Sequence, residues 1–599
     1  MPIDRAALVA GSIRLASGVS FLVDLCVRTD CGESRTIRDL RGYCCDRWAT
    51  ATPSSADRSS VRRCAAQTRA AGSWRPGCRR ADLLGGMSVH RELKGGQRII
   101  GPGLQNAAHG FRFDDTRNAA ETLPKSRVLV ARLASKRMER LSGLDAGFLY
   151  IETSTQLPNV CSILEVDSST MPGGYTFDRL RDALALRIKA IPEFREKLAD
   201  SQFNLDHPVW VEDTDFDVNR HLHRIALPSP GGRAELAEIC GRSASVPLDR
   251  GRPLWEMWLI EGLADIDARE GGRLAVMTKV HHAAVDGVTG AGLLAQLCST
   301  EPDAPPPDPV DGPGDASSLE IAADGLVRFA SRPLRLTTVL PTTVSAIVKT
   351  LRRARAGLTM AAPFAAPPTA FNAAVTEARN IAFTQLELDD IKTVKNRFNV
   401  TVNDVVMALC AGVLRRFLHD RGQLPDKSLV AMVPVSVHDK SDRPGRNQLS
   451  GMFSRLETHV SDPAERLRAI AEANSTAKEH SSAIGPTLVQ DWMQFAARPL
   501  FGAAMRLVAD TPLTESPVHN LIISNVPGPQ TTLYFLGCEV EATYPIGPIF
   551  HGSGLNITVM SLNGKLGVGI ISCPDLLPDL WELADDFSLA LDELLERAA

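Results

Sequence analysis

Several signatures are missing from this sequence, and each absence removes a class of function. There is no G-x-S-x-G string, so no serine-nucleophile elbow is present. There is no H-E-x-x-H, so a zinc protease of that type is not indicated. The 12 cysteines never form paired C-x2-C clusters, and Cys44-Cys45 with its scattered neighbours does not supply a zinc site. The most apolar early stretch, 6–27, is interrupted by Arg14 and Asp24 and makes a poor membrane span and a poor secretory signal. What remains, 44% hydrophobic residues and a net charge of -4, is the balance of an ordinary globular protein. At 599 residues the chain is too long for one core, and two or more domains are expected.

Charge is unevenly spread, at about +12 over residues 1–137 and about -16 over the rest. The first segment is dense in arginine (Arg62, Arg63, Arg69, Arg75, Arg79, Arg80) and holds Cys26, Cys31, Cys44, Cys45, Cys64 and Cys78. Neither helical nor strand period persists there, so it reads as a weakly ordered extension, or as the product of a start codon assigned too far upstream. A nucleic-acid role for it would rest on charge alone, and no nucleic-acid partner is expected. The cysteines of the main body (Cys161, Cys240, Cys298, Cys410, Cys538, Cys573) are isolated in apolar company, as in a reduced cytoplasmic protein.

The chemistry-bearing stretch is Lys279-Val280-His281-His282-Ala283-Ala284-Val285-Asp286-Gly287. The apolar run Leu274–Val280 before it reads as a buried strand, and Val288, Leu293, Leu294 and Leu297 after it read as a helix. Imidazole accepts and returns a proton near neutral pH, provided its other nitrogen is fixed by a partner. Asp286 stands four residues after His282, where a helix starting near His282 would place both on one face. Alternatively, the aspartate holds the turn through another base. Gly287 permits close approach of backbone or substrate. The bland alternative is a pair of core histidines at a buried turn. A metal pair, His282 with Asp286, lacks a third ligand at suitable spacing.

This H-H-x-x-x-D-G string resembles the active-site signature of chloramphenicol-acetyltransferase-like acyltransferases, in particular the bacterial wax ester synthase/diacylglycerol acyltransferases. Further stretches carry the resemblance: Met138-Glu139-Arg140-Leu141-Ser142-Gly143-Leu144-Asp145-Ala146-Gly147-Phe148, Pro253-Leu254-Trp255, Asn403-Asp404-Val405-Val406 and Ser524-Asn525-Val526-Pro527-Gly528-Pro529. It runs from about Met138 to the C-terminus. It implies an α/β fold of mixed sheets in two chloramphenicol-acetyltransferase-like domains, with an active-site tunnel at their interface. The implied reaction moves a long-chain acyl group from acyl-CoA to the hydroxyl of diacylglycerol, or to a long-chain alcohol to give wax ester. In it His282 is the proton acceptor, with His281, Asp286 and Gly287 in support, and no metal or prosthetic cofactor is expected. Trp255, Asn403, Asp404, Ser524 and Asn525 are the substrate-binding candidates, with Ser524 or Asn525 as donor to the oxyanion. Each has a structural alternative: Trp255 packs at a strand mouth, Thr401 and Asp404 cap a helix, and Ser524 or Asn525 caps a turn.

The domain plan is therefore an N-terminal extension (1–137), a first half with the histidine motif (138–300), a linker (301–370) and a second half (371–599). Strands are expected at 159–166, 257–260, 429–437, 521–526, 555–559 and 566–572, and helices at 177–190, from Thr401 onward, and at 581–595. The linker opens with the proline-rich 302–313, and residues 343–358 write as a basic amphipathic helix after interruptions at Pro333 and Pro341. Such a helix suits either a solvated crossover or an anionic membrane or lipid-inclusion surface. The stretches 447–451 and 544–553 are candidates to line a lipid channel. Two other functions fit the same motifs: a polyketide- or peptide-associated condensing acyltransferase fed by a carrier protein, and an inactive lipid-binding protein.

Overall fold

The computed structural model describes residues 138–599 except 265–271, 286–295, 357–358, 437–445, 448, 485–487, 496–516 and 599. Of residues 1–137 it describes the backbone of five short strands. The chain forms two units, Met1–Ala134 and Ser135–Ala599. In the first, β1 (Ser12–Arg14), β2 (Ser20–Arg28), β3 (Ser34–Thr36), β4 (Gly86–Glu92) and β5 (Arg98–Gly101) pair antiparallel in the order β1-β2-β4-β5, with β3 also on β2. The remaining expectations for 1–137 lie outside the described residues.

The first half of the second unit opens with β6 (Glu139–Arg140) and α1 (Gly143–Ile151). Ser142 and Asp145 form a reciprocal capping box, which satisfies two of the orphan backbone donors at that helix start. There follow β7 (Asn159–Asp167), α2 (Phe177–Ile188), β8 (Glu196–Ala199), β9 (Val209–Glu212), β10 (Leu222–Ala226), α3 (Arg233–Ala244), β11 (Trp255–Leu263), β12 (Arg273–His281) and β13 (Cys298–Ser299). Strands β11, β12 and β7 carry apolar residues on both faces because the sheet is covered on both sides. Leu164, Val276 and Leu259 face Leu180 and Leu184 of α2. Ile163, Ala275, Met277 and Ile260 face Leu236 and Cys240 of α3.

The linker departs from expectation. One helix, α4 (Ser318–Arg355), runs 38 residues through both Pro333 and Pro341. A proline removes one helix hydrogen bond and crowds a carbonyl one turn back. Around these two, hydroxyls bond back to the preceding turn: Ser331 to the Arg328 carbonyl, Thr337 to Leu334, Thr338 to Arg335, Thr343 to Val339. Such back-bonding is compatible with a continuous helix.

The second half runs β14 (Asn380–Glu387), α5 (Leu388–Phe398), α6 (Val402–Asp420), β15 (Val430–Ser436), β16 (Leu449–Arg455), α7 (Pro463–Ile484), α8 (Leu488–Met493), β17 (Leu521–Val526), β18 (Tyr534–Phe535), β19 (Cys538–Ile546), β20 (Asn556–Leu562), β21 (Lys565–Ser572) and α9 (Trp581–Ala598). Helix α6 is buried along most of its length against α9 and the second sheet. That sheet has the order β14-β21-β20-β17-β15-β16 and is mixed, with β15–β17 and β17–β20 parallel.

The two sheets do not divide at the linker. The first has the order β10-β11-β12-β7-β19-β18-β13, so two strands of the second half complete it, and β19 lies antiparallel along β7. The next strands, β20 and β21, return to the second sheet. The chain can cross because β21 passes close to β19 at two glycines. A Cβ on Gly567 would stand 1.8 Å from the Thr543 carbonyl oxygen, and one on Gly569 2.0 Å from that of Pro545. Any side chain there would force the sheets apart.

Candidate active site

The histidine pair sits at the end of β12, where the chain leaves the sheet. The His281 amide donates to the Leu254 carbonyl on one side (3.0 Å), and the His282 amide to the Pro158 carbonyl on the other (2.8 Å). The Pro253-Leu254-Trp255 motif thus braces the histidine motif through one backbone bond. Trp255 is buried: its indole nitrogen donates to the Phe194 carbonyl (2.8 Å) and its ring stacks on His221 with centroids 4.6 Å apart.

The adjacent imidazoles have different surroundings. His281 is fully buried, and its Nδ1 accepts the Ala283 amide (3.0 Å), which places the proton of the neutral ring on Nε2. That nitrogen faces the Glu152 carboxylate at 3.6 Å, beyond a good hydrogen bond. Burial lowers the proton affinity of the ring, and Glu152 offsets this in part. The Glu152 side chain is only 8% exposed, and that burial opposes ionisation, but His281 and Arg250 hold its carboxyl below the usual range.

His282 is 8% exposed and lies flat against Phe148 of α1, with centroids 4.1 Å apart and planes 14° from parallel. Its Nδ1 is 2.9 Å from Oδ1 of Asn447, which belongs to the second half. The Asn447 amide nitrogen donates to the His282 carbonyl (2.6 Å) and to Oδ1 of Asp145 (2.8 Å), and its backbone amide donates to the same Asp145 oxygen (2.9 Å). The other Asp145 oxygen accepts the amides of Ser142 (3.0 Å) and Arg446 (3.3 Å). Burial raises the Asp145 pKa, and the donors from Ser142 and Asn447 pull it back. Each of these contacts is one the carboxylate accepts, so the arrangement suits the ionised form.

Arg446 fixes this crossing point. Its guanidinium lies over the Trp210 ring (4.3 Å) and pairs with Glu139 (3.0 Å) and Glu196. Glu139, Glu196 and Trp210 belong to the three strands of the small sheet β6-β9-β8. The Arg446-Asn447 dipeptide therefore fastens the second half to the first beside the histidine.

The other sequence candidates are placed as follows. Asn403, in the first turn of α6, and Asn525, near the end of β17, approach each other at 3.5 Å and are half-buried, as is Ser524. The Asp404 carboxylate accepts Thr401 (2.9 Å to the amide, 2.7 Å to the hydroxyl) and the Asn474 amide (2.7 Å), so it is committed to the helix cap. Asp286, Gly287 and Gln448 lie outside the described residues, and with them the expected face shared by His282 and Asp286. Residues 544–549 are buried in the core, and Asn447 is buried against His282. Sequence reasoning passed over Asp145, Phe148 and the role of Asn447. The Ser142-x-x-Asp145 spacing announces a helix cap, but no local pattern shows that the same carboxylate reaches residue 447.

Two family models match the chain: the wax ester synthase/diacylglycerol acyltransferase catalytic domain over residues 141–406 and the WS/DGAT C-terminal domain over residues 446–595. A protein of Mycobacterium tuberculosis (strain CDC 1551 / Oshkosh), provisionally named a diacylglycerol O-acyltransferase, is 63% identical over 77% of this chain and 90% of its own length. A second from M. tuberculosis (strain ATCC 25618 / H37Rv), with the same activity in its name, is 35% identical over 76% of this chain and 99% of its own. Among solved structures, the wax ester synthase/diacylglycerol acyltransferase of Marinobacter aquaeolei VT8 matches with a TM-score of 0.56 and 30% identity, covering 77% of this chain and 100% of that one.

Proposed function

Because this chain belongs to the wax ester synthase/diacylglycerol acyltransferase family and is therefore an acyltransferase, we propose that it moves a long-chain acyl group from acyl-CoA to the free hydroxyl of diacylglycerol, forming triacylglycerol. Long-chain alcohols are the related acceptors and give wax esters. The reading rests on one observation: an imidazole at a strand end, held by ring stacking and by Asn447 at Nδ1.

In the proposed step, His282 Nε2 takes the proton of the acceptor hydroxyl as its oxygen attacks the thioester carbonyl carbon. The tetrahedral intermediate then collapses with loss of the C–S bond. The departing CoA thiolate takes the proton back from the imidazolium, so the enzyme ends unchanged. A positioned general base supplies about 10²–10⁴ in rate, and donors to the oxyanion, for which Ser524 and Asn525 are the candidates, supply a comparable share. The chemistry calls for no metal or prosthetic group.

Purified protein given labelled palmitoyl-CoA with either diacylglycerol or hexadecanol, and the same acyl group on a carrier protein, tests donor and acceptor together. Triacylglycerol from the CoA ester is the expected product. Turnover only from the carrier would move the protein to the condensing enzymes, and no ester from any pair would sink the reading.

The acceptor and product are lipids, and we propose that α4 seats the enzyme on an anionic lipid surface. No single helix among the described residues is long and apolar enough to cross a membrane. Along α4, however, Leu326, Phe329, Leu340, Val344, Ile347 and Leu351 are 46–59% exposed and recur at helical spacing on one face. Lys349, Arg352 and Arg355 follow toward its C-terminal end. Cosedimentation with phosphatidylcholine vesicles that contain phosphatidylglycerol is expected, with little on phosphatidylcholine alone. Leu340→Asp with Ile347→Asp is expected to abolish it while leaving turnover of a dispersed short-chain diacylglycerol intact. Equal binding by the double variant would contradict the assignment.

A further inference from the structure

We infer that Asn447, oriented by Asp145, is the positioning residue that selects the tautomer of His282, and that the base depends on this contact between the two halves. The inference rests on His282 being the general base. The orientation of a carboxamide is fixed by its surroundings. The two hydrogens of Asn447 Nδ2 point at groups that can only accept: the His282 carbonyl oxygen (2.6 Å) and Oδ1 of Asp145 (2.8 Å). A flipped amide would bring its oxygen against both acceptors, so the assignment has one solution. Asn447 Oδ1 then faces His282 Nδ1 at 2.9 Å. An amide oxygen donates nothing, so Nδ1 must carry the proton. In the neutral ring the lone pair is then on Nε2, the nitrogen the reaction uses.

Asp145 holds Asn447 at two points, the side-chain and backbone nitrogens, and is itself capped into α1 through Ser142. The same helix carries Phe148, three residues on, which sets the plane of the ring. Proton position and ring plane are thus fixed from one helix, one directly and one through a residue of the other half. The closest chemical parallel is the orienting aspartate of hydrolase triads, with an uncharged amide in its place. The amide fixes the tautomer without adding a charge of its own at Nδ1.

Protein labelled with nitrogen-15 histidine, with His282 assigned by its loss in His282→Gln, reports the tautomer directly by NMR above the titration midpoint. The expected spectrum has Nδ1 protonated and Nε2 bare. A protonated Nε2 in the wild-type protein would overturn the proposal with no variant needed, and whether or not ester is formed. Asn447→Ala is expected to lose the Nδ1-H preference and to lower kcat by about 10²-fold or more, against about 10⁴-fold for a misset tautomer in a serine-protease triad, with KM for acyl-CoA little changed. Asn447→Asp sets a second oxygen against the Asp145 carboxylate and the His282 carbonyl, so it is expected to lose the Nδ1-H preference as the alanine variant does. An unchanged tautomer in both variants would reduce Asn447 to a packing residue.

Discussion

The two halves of this enzyme begin their key helices in the same way and use the result differently. In the first, Ser142 and Asp145 form a capping box, and Asn447 binds the Asp145 carboxylate. In the second, Thr401 and Asp404 form a capping box, and Asn474 binds the Asp404 carboxylate. Both aspartates are buried and each accepts from its cap and from an asparagine amide. The difference lies one bond further on. Asn447 turns its oxygen to the ring nitrogen of His282, whereas Asn474 turns its oxygen to the hydroxyl of Ser454. A helix cap is a structural device in one place and the foundation of a base in the other. The carboxylate does not decide which; the third residue does.

That comparison can be broken in two steps. Asp145→Asn replaces one accepting oxygen with an NH2 group that meets the donors of Asn447 on one side or the amides of Ser142 and Arg446 on the other, so the clamp on Asn447 is weakened either way. Turnover is expected to fall by about 10²-fold, and stability by about 1–3 kcal/mol, the cost of a buried donor left unpaired. Steady-state kinetics beside chemical denaturation measures both. Asp404→Asn meets the same clash at Thr401 and Asn474. It is expected to cost about 1–2 kcal/mol of stability in the same denaturation assay but to change kcat by only a few-fold. If Asp404→Asn proves as damaging to kcat as Asp145→Asn at equal stability, the two caps are not functionally distinct.

Much of this was readable from local pattern. The strand before His281, the helix capped by Thr401 and the strand ending in Ser524-Asn525 follow from period and capping chemistry, which are properties of neighbouring residues. The rest depends on pairs far apart in the chain. Nothing within ten residues of Cys538–Ile546 announces that it completes the sheet begun by Asn159–Asp167. Asn447 lies 165 residues from His282 and 302 from Asp145. Helix α4 does not read as a single element, for a different reason. Two prolines are strong local breakers, and propensity does not anticipate a helix that runs on through both. The histidine motif itself was visible, but the groups that orient its second ring were not.

The central claim is that His282 removes the acceptor's proton. The most direct test follows a single turnover of labelled palmitoyl-CoA with diacylglycerol by wild-type protein and by His282→Gln, which keeps a polar group but no base. The account predicts triacylglycerol from the wild type and a rate lower by about 10³-fold or more in the variant, with thermal unfolding shifted by only a few degrees. Ester formation by the variant within a few-fold of wild type would contradict it.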